Sequence, residues 1–319
     1  MLVRPHRLGQ THGVPFRKLT STDAFVVTDL ADAPFATGVV RRARKILPDG
    51  ARLLARTGTY AWAVHRQQVS GASAGINAED DGAAEAVAAF VTELTADVTA
   101  GTLSLSPAKG VTVEQFAPLV AVDPFRSTLE RATDAGTLGD LLLAAGVAAA
   151  ADRALGGLDG RTVALETTGP STAAVAAALA ARGAVVEQLD RAAVLASDAD
   201  VLCCGSATGM VDHTVAADLA HRVVVPVGPV PVTARGLAVA RRRDITVLPD
   251  FVTTSGPLVA HGATDEEDEA LVTLASDTVG GLVGAILDHP ENPTLGACAL
   301  AEEFLSTWQP SLPFGRPMA

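Results

Sequence analysis

The chain has 319 residues, of which 48% are hydrophobic and only 4% aromatic, and its formal net charge is −12. This hydrophobic content fills the cores of about two globular domains and excludes a disordered chain. The negative charge disfavours a nucleic-acid partner, and the basic clusters at 41–45 and 241–243 are expected on solvated helix faces or turns. The segment 1–6 (MLVRPH) has no apolar signal region, and no uninterrupted apolar run reaches roughly 18 residues. We therefore expect a cytoplasmic protein without a membrane partner.

The first half of the chain mixes strands with helices. We predict strands over 24–28 and 103–105, and helices over 52–65, 83–99 and from Thr112, which serves as an N-cap. Between the first two helices, the run 70–76 (SGASAGI) is expected to be a glycine-bordered loop.

The pattern changes to alternating helices and strands from residue 138 onward. Helices are predicted over 138–154, 171–182 and 265–287, and strands over 161–165, 184–189, 200–204, 222–226 and 245–248. Short buried strands between helices indicate a parallel sheet with right-handed crossovers. Only nine residues separate Asp190 from Asp200, too few for the helix–strand–helix that usually follows the second strand. The sequence therefore predicts a trimmed Rossmann-like unit.

Metal and disulfide chemistry are not indicated. Three cysteines do not make a disulfide framework in a chain of this length. Cys203 and Cys204 are adjacent in a predicted strand and point to opposite faces, so they cannot share a zinc ion. His213 and His221 have no carboxylate at metal-ligand spacing between them, and we predict no metal site.

Two glycine-bordered runs resemble the family of amino-acid dehydrogenases (glutamate, leucine, phenylalanine and valine dehydrogenases). The runs 58–62 (GTYAW) and 70–76 (SGASAGI) stand where the family has TYKN and GGGKGGI, with two lysines twelve residues apart. Here those positions are Ala61 and Ser73. The resemblance therefore implies loss of the lysine that grips the substrate carboxylate and of the catalytic lysine.

The resemblance covers most of the chain. Residues 249–257 (PDFVTTSGP) match the family's PDxxxNAGG, with Thr254 at the asparagine position, whereas 106–112 (SPAKGVT) lack the aspartate of PAxDVGT that shuttles a proton. The resemblance implies an α/β fold with two domains. They are a substrate and oligomerisation domain over 1–134, onto which 289–319 pack back, and a Rossmann-like NAD(P)-binding domain over 135–288.

The turn at 166–172 (ETTGPST) stands where the family binds the cofactor pyrophosphate through GxGNVG. Gly169 is the one glycine kept, and the hydroxyls of Ser171 and Thr172 are suited to donate to a phosphate at a helix N-terminus. Asp190, at the end of the next strand, favours NAD over NADP, unless it only caps the following turn. The resemblance places Thr137 at the nicotinamide end of the cofactor. NAD is thus the predicted cofactor.

Several residues are candidates to replace the missing catalytic groups. His65 follows Ala61 by four residues on one helix face and titrates near neutral pH, although a half-exposed helix end explains it equally well. Lys109 places a cation where the family has an anion. Ser73 and Tyr60 complete the catalytic set, although Ser73 has no obvious base beside it and packing explains Tyr60 better than reaction does. The substrate pocket is predicted to comprise Ala61, Arg66, Gly71 and Thr254.

We predict an enzyme of bacterial specialised metabolism that acts on a small molecule in the interdomain cleft. Imine reduction or a non-redox step such as cyclisation requires fewer charges than oxidative deamination does. The alternative is a non-catalytic relative that binds a ligand or a partner subunit. A homo-oligomer is expected, most simply a dimer, and the strand 24–28 would pair across a two-fold axis if it lay at a sheet edge.

Overall fold

The N-terminal half folds around a five-stranded mixed sheet with the strand order β1-β2-β4-β3-β5. The computed structural model describes residues 15–263 and 266–319. Strands β1 and β4 are antiparallel to β2, whereas β3 is parallel to both β4 and β5. The strands are β1 (Phe16–Lys18), β2 (Ala24–Thr28), β3 (Ala36–Ala43), β4 (Ser70–Asn77) and β5 (Leu103–Pro107).

The second half folds around a five-stranded parallel sheet with the order β12-β11-β10-β8-β9. A small hairpin, β6 (Ala132–Thr133) and β7 (Gly136–Thr137), precedes it. The sheet strands are β8 (Thr162–Glu166), β9 (Val185–Leu189), β10 (Val201–Cys204), β11 (Val223–Pro226) and β12 (Thr246–Val247). Because β9 and β10 lie on opposite sides of β8, the strand order reverses at β8, and the crevice outside the carboxyl ends of β8 and β10 is where ligands bind in such folds. The predicted two-domain α/β class is confirmed.

Twelve α-helices cover the two sheets in the described part of the chain. They are α1 (Pro48–Val64), α2 (Ala83–Thr99), α3 (Val113–Val120), α4 (Pro124–Leu129), α5 (Leu138–Leu155), α6 (Thr172–Ala180), α7 (Arg191–Ala196), α8 (His213–Asp218), α9 (Ala234–Arg242), α10 (Asp250–Thr253), α11 (Asp268–Ile286) and α12 (Pro293–Leu305). A 3-10 helix spans Gly256–Ala260. Reciprocal capping boxes start α3 and α5, where Thr112 pairs with Gln115 and Thr137 with Asp140.

Most predicted elements are present, and two agree with their predicted limits. These are β2, whose first four residues are all buried, and α2, whose buried apolar residues recur at helical spacing. The segment 1–6, for which no signal region was predicted, and residue Asp265, at which the helix predicted over 265–287 was expected to begin, lie outside the described residues.

The expected loop at 70–76 is instead a central strand of the first sheet. Strand β4 pairs with β2 on one side and β3 on the other. Its glycines and alanines do not signal a strand because small side chains carry no β-propensity. They are required here because helix α1 packs almost directly on the strand. The two runs that resemble the dehydrogenases are therefore one helix and one strand in contact.

Two expectations about surface features are wrong. Strand β2 is not at a sheet edge, because β1 pairs with it, so it has no free edge for pairing across a two-fold axis. The basic cluster at 41–45 lies partly in a strand and not on a helix face or in a turn, because Arg41 and Arg42 belong to β3. The Nε and Nη2 atoms of Arg41 are buried without a hydrogen-bond partner in the described structure.

The trimming predicted between Asp190 and Asp200 is visible as the short helix α7. It connects β9 directly to β10, so β9 is left as the edge of the sheet. Cys203 and Cys204 pack into different apolar clusters on the two faces of β10. The sheet is thus covered on both sides, as parallel sheets require.

The end of the chain returns to the N-terminal half. Helix α12 packs against α1, and the Tyr60 hydroxyl on α1 donates to Glu302 on α12 at 3.0 Å. The buried guanidinium of Arg56 forms an ion pair with Asp29 at 2.7 Å and also donates to the carbonyls of Phe314 and Gly315. This network ties the last helix and the tail to α1.

Helix α11 is the one described helix that is long and apolar enough to cross a membrane, by length and composition alone. Core helices of water-soluble proteins share these properties. Its buried side chains, from Leu271 to Ile286, recur along one face, and the helix packs against α5. One face of α11 is thus a core face, although only 28% of its apolar window is buried.

Candidate functional site

A cavity of about 270 Å³ lies between the two halves of the chain. Helix α1 and the first sheet form one side, and the segment that follows β11 forms the other. The first sheet contributes both strand backbone and short side chains. The second half contributes residues from α10, the 3-10 helix and the turn after β11. Its lining comprises Thr37, Gly38, Val39, Leu54, Thr57, Gly58, Ala61, Trp62, Ala72, Ser106, Arg126, Pro229, Phe251, Thr254, Ser255 and Leu258. Most of this lining is apolar, and one residue in it is ionisable.

Helix α1 lies on β4 at backbone contact distance. A Cβ added at Gly71 would lie 1.7 Å from the Ala55 carbonyl oxygen, and one added at Gly58 would lie 3.0 Å from the Gly71 Cα. The Gly71 amide donates to the Thr59 hydroxyl at 2.9 Å, which fixes the helix on the strand. Gly71 is therefore a packing residue beneath the helix and does not line the cavity.

Of the two positions where the lysines were expected, only one faces the cavity. Ala61 lines it. Ser73 is fully buried, and its hydroxyl has no hydrogen-bond partner in the described structure. Because Ser73 shares the α1-facing side of β4 with Gly71 and Gly75, it lies beneath the helix. The structure thus separates Ser73 from the predicted pocket.

The cation of the cavity is Arg126 on α4, which the sequence analysis did not identify. Its Nε donates to the Ser104 hydroxyl at 3.2 Å, and its guanidinium lies 5.0 Å from the centre of the Phe125 ring. Burial lowers the pKa of Arg126 to about 10, and the nearby charges of Asp123 and Glu130 oppose that change. The side chain is therefore still a cation at neutral pH.

His65 reaches the cavity indirectly, through Ser255. It caps the C-terminus of α1, and its Nε2 lies 2.8 Å from the Ser255 hydroxyl, which belongs to the cavity lining. Burial lowers the pKa of His65 to about 4, so the imidazole is neutral at pH 7. The Ser255 hydroxyl also lies 2.8 Å from the Val252 carbonyl. The pair therefore connects the end of α1 to the segment after β12.

Three other predicted site residues lie away from the cavity lining. Tyr60 faces α12 and is buried against Phe251 and Glu302. Arg66 is exposed, and its guanidinium lies 5.4 Å from the Phe304 ring. Lys109 is exposed in the turn after β5, where its carbonyl accepts from the Arg42 amide. Thr254, by contrast, lines the cavity and donates to the Asp250 carbonyl at 2.7 Å.

The predicted cofactor residues come together at the carboxyl ends of β8 and β9. Gly169 has a φ of 154°, which side chains with a Cβ rarely adopt. The Thr172 hydroxyl accepts from the amides of Thr168 and Gly169 at 3.1 and 3.2 Å. Asp190 caps α7 by accepting from Ala193. The turn therefore uses its own hydroxyl to satisfy amides that would otherwise be available to a phosphate.

Two further predicted cofactor residues have local roles. Ser171 precedes α6 without a side-chain capping bond, and its side chain is half-buried. Thr137 exchanges hydrogen bonds with Asp140 in the capping box of α5. Its hydroxyl thus has a structural partner within its own helix.

A buried carboxylate, Glu166, occupies the crevice between β8 and β10. It accepts from the amides of Gly205 and Ser206 at 2.8 and 3.0 Å and from the Ser206 hydroxyl, and Arg191 lies at 3.5 Å. Burial alone would raise the pKa of Glu166, but these hydrogen bonds and the Arg191 charge together hold it below its ordinary value. Glu166 is therefore ionised at neutral pH.

The crevice does not fit a dinucleotide bound as in a Rossmann fold. A pyrophosphate requires free amides at a helix N-terminus and no fixed negative charge beside it. Here the amides of Thr168 and Gly169 bond to Thr172, and the amides of Gly205 and Ser206 bond to Glu166, whose carboxylate lies at the switch point. Helix α6 has no side-chain cap, so it is the carboxylate that most opposes a phosphate there. For metals, the described residues contain no group of three or more His, Cys, Asp or Glu suited to hold an ion.

Comparison with solved structures finds this architecture in amino-acid dehydrogenases. The leucine-bound hetero-hexameric glutamate dehydrogenase from Thermus thermophilus has a TM-score of 0.75 and 20% identity, over 93% of this chain and 88% of that one. L-tryptophan dehydrogenase from Nostoc punctiforme has a TM-score of 0.66 and 15% identity, over 93% and 96%. A Plasmodium falciparum glutamate dehydrogenase has a TM-score of 0.71 and 12% identity, over 89% and 77%.

Sequence comparison gives no further relative. No family profile matches the chain, and no curated protein matches it by sequence. At 11–20% identity the structural likeness concerns the fold, and the chemistry must be argued from the residues in the cleft. The resemblance seen in the two glycine-bordered runs is confirmed, and this chain has the two-domain fold of the glutamate and tryptophan dehydrogenases.

Proposed function

We propose that this chain is an enzyme of altered chemistry that acts on a small molecule in the cleft between α1 and the segment after β11. The step is non-redox, for example a cyclisation or an elimination, and it uses no dinucleotide. The observation that carries this proposal is the ionised carboxylate of Glu166 in the crevice where a pyrophosphate would bind. Imine reduction, the other reaction considered, requires a hydride donor in that crevice.

The cleft itself also argues against ordinary oxidative deamination. That reaction requires a base and charges for the substrate's carboxylate and ammonium groups. The cavity has Ala61 where a lysine was expected, and its ionisable lining residue is Arg126. His65 is an ionisable side chain in contact with the lining, and it can accept a proton from the Ser255 hydroxyl once that hydroxyl turns from the Val252 carbonyl towards Nε2. Proton transfer by this pair suits a non-redox step.

A non-catalytic binding protein is the second candidate. It is favoured because no lining residue of the described cavity titrates near neutral pH. The two candidates differ in their dependence on His65, which a binding protein does not require for affinity. Binding of an identified ligand without turnover by the wild type would support the non-catalytic candidate, whereas activity that survives His65→Gln would show that a different group is the base.

The organisation of the protein follows the same proposal. We place the substrate domain at 1–134, with 289–319 packed on it, and the Rossmann-like domain at 135–288. A cytoplasmic homo-oligomer, most simply a dimer, is proposed because the glutamate dehydrogenase with the same fold is described as hetero-hexameric. With β2 internal, the edge strands of the first sheet are β1 and β5.

Thermal unfolding in the presence of NAD, NADH, NADP and NADPH tests the proposal. A ligand at 100 times its dissociation constant stabilises the folded state by about 2.7 kcal/mol. We expect no increase in melting temperature with any of the four, and no NADH formation from leucine, valine, phenylalanine or glutamate with NAD. A glutamate dehydrogenase measured in parallel is the positive control.

Stabilisation by any one dinucleotide would contradict the proposed absence of a cofactor. The Glu166→Gln variant tests separately whether the carboxylate is what excludes the cofactor, because it removes the negative charge and keeps the shape of the side chain. If the wild type is unaffected and the variant gains a shift with NAD, the carboxylate is the excluding group. If neither responds, the capped turn at Thr172 is sufficient to exclude the cofactor.

A further inference from the structure

Arg126 is a partly buried positive charge without a counter-ion. It forms no ion pair with the residues that the structure describes, and its side-chain hydrogen bond there is the one from Nε to Ser104. Asp123 and Glu130 are near enough to influence it, but Asp123 accepts from the Arg126 backbone amide as the N-cap of α4. The two terminal nitrogens of the guanidinium are thus left without a protein acceptor.

These nitrogens are not among the buried atoms that lack a partner, so they face the cavity, where water or a ligand can accept from them. Removing a charge from water costs several kcal/mol, which an ion pair with good geometry offsets. The planar guanidinium presents two parallel N–H donors, which match the two oxygens of a carboxylate. Because Arg126 lines the cavity, a carboxylate inside the cavity can reach these donors.

Polar neighbours of Arg126 lie on the same face of the first sheet. Ser104 on β5 pairs with Thr37 on β3, and the Thr37 hydroxyl accepts from the Trp62 indole at 2.6 Å. Ser106, two residues along β5, also lines the cavity. The hydroxyls of Ser104 and Thr37 each accept one hydrogen bond, from Arg126 and Trp62, and each keeps its O–H for donation. The polar end of the cavity therefore offers the guanidinium of Arg126 and the hydroxyls of Thr37 and Ser106 as donors.

The rest of the cavity is apolar. Leu54, Ala61, Phe251 and Leu258 line it, and no carboxylate is among its lining residues. An ammonium group would have no anionic partner there and would meet the charge of Arg126. The cavity therefore combines one anion-binding end with a hydrocarbon surface and lacks a place for an amino group.

We infer that the cleft binds an organic monocarboxylate with an apolar tail, its carboxylate on Arg126 and its tail against Ala61, Phe251 and Leu258. This inference rests on the proposed function, because it names the class of small molecule for the same cavity. It differs from an amino-acid site in its anchor, which is an arginine on α4, and in the absence of a site for the amino group.

Three probes that share one hydrocarbon and differ in the head group test this inference: 3-phenylpropionate, 3-phenylpropanamide and 3-phenylpropylamine. Their binding to the full chain is measured by isothermal titration calorimetry. We expect 3-phenylpropionate to bind about 10- to 100-fold more tightly than the amide, as a charge-assisted hydrogen-bond pair predicts. The amine should bind least well. This comparison uses the wild type and does not depend on a variant that folds.

Variants locate the effect at Arg126. Arg126→Gln should weaken the binding of 3-phenylpropionate by about 10-fold or more and leave the affinity for the amide unchanged. Arg126→Lys should lose less affinity for 3-phenylpropionate. Lys109→Gln is the matched control, because it removes one exposed cation outside the cavity, and it should leave all three affinities unchanged.

The outcomes separate the two proposals. Equal binding of the acid and the amide, or an acid affinity that Arg126→Gln does not change, overturns the carboxylate inference and leaves the cavity as the site of action. Binding of none of the three probes overturns the inference together with the proposal that this cavity receives a small molecule. If the amine binds most tightly, the cavity favours a cation over an anion, and the inference is overturned.

Discussion

The contact between α1 and β4 predicts that the single methyl group added by Gly71→Ala strongly destabilises the protein. The added Cβ would lie 1.7 Å from the Ala55 carbonyl oxygen and 2.6 Å from the Thr59 amide nitrogen. Ordinary van der Waals contact begins near 3.4 Å. Both obstacles are backbone atoms, so no side-chain rotation relieves them, and α1 must move away from the sheet by about 1.7 Å.

The cost has two parts. Forcing a methyl group into a packed interface costs about 1–3 kcal/mol. Moving the helix also breaks the hydrogen bond from the Gly71 amide to Thr59, and an unsatisfied buried amide costs about 1–3 kcal/mol. We therefore expect Gly71→Ala to lower the free energy of unfolding by about 2–6 kcal/mol.

Urea unfolding followed by tryptophan fluorescence measures this loss, because Trp62 is buried on the same helix. With an m-value of about 2 kcal/mol per M, the midpoint should fall by about 1–3 M. Gly50→Ala is the control. Gly50 lies in the first turn of α1, and its added Cβ would meet nothing within 4 Å, so this variant should be neutral or more stable by up to about 1 kcal/mol.

The reasoning is refuted if Gly71→Ala and Gly50→Ala have midpoints that agree within experimental error. That result would mean that the helix can shift without loss, and that the glycines of β4 are not there for packing. It would also remove the explanation for why the strand has so few large side chains.

Two further predictions concern the pH dependence of stability. Burial raises the pKa of Asp250 to about 6, so the stability that its protonated form contributes is complete below about pH 4 and is lost as the pH rises through 6. At pH 7.5 the Asp250→Asn variant should therefore be more stable than the wild type by about 1–3 kcal/mol. At pH 4 it should have no such advantage. Burial lowers the pKa of His65 to about 4, so the wild type loses stability as the pH falls from 6.5 towards 4. The His65→Gln variant keeps a donor to Ser255 but does not titrate. Its urea midpoints at pH 7 and pH 5 should therefore differ less than those of the wild type. A wild type with equal midpoints at pH 7 and pH 5 would contradict the burial of His65, and an Asp250→Asn variant that is less stable at both pH values would show that the carboxylate is needed for its hydrogen bonds.

The sequence was sufficient for elements whose pattern comes from the residues themselves. Helix α2 repeats apolar side chains on one face, and the β8 to β12 strands are short apolar runs between helices. Strand β4 was not predictable in this way, because its small residues are dictated by α1, which packs on it from elsewhere in the chain. A glycine run is ambiguous between a loop and a strand under a close helix.

The candidate site was less accessible from sequence. Arg126 lies outside every motif that the resemblance supplied, and only the fold brings it into contact with Ser104 on β5. Glu166 ends a strand, but its acceptors are filled by amides 39 and 40 residues further along the chain. Thr172 was expected to donate to a phosphate, and its hydroxyl instead accepts from its own turn. These roles depend on contacts that no local pattern encodes.

The three buried cysteines allow local unfolding of the protein to be measured by thiol labelling. Cys203, Cys204 and Cys298 are free and buried, and burial raises the pKa of Cys203 and Cys298 to about 12. A thiol reagent therefore has no thiolate to attack in the native protein. The rate of labelling then measures transient exposure of the parallel sheet and of α12 separately. A cysteine introduced on the surface would also be the single reactive position for a fluorophore, without removal of the natural three.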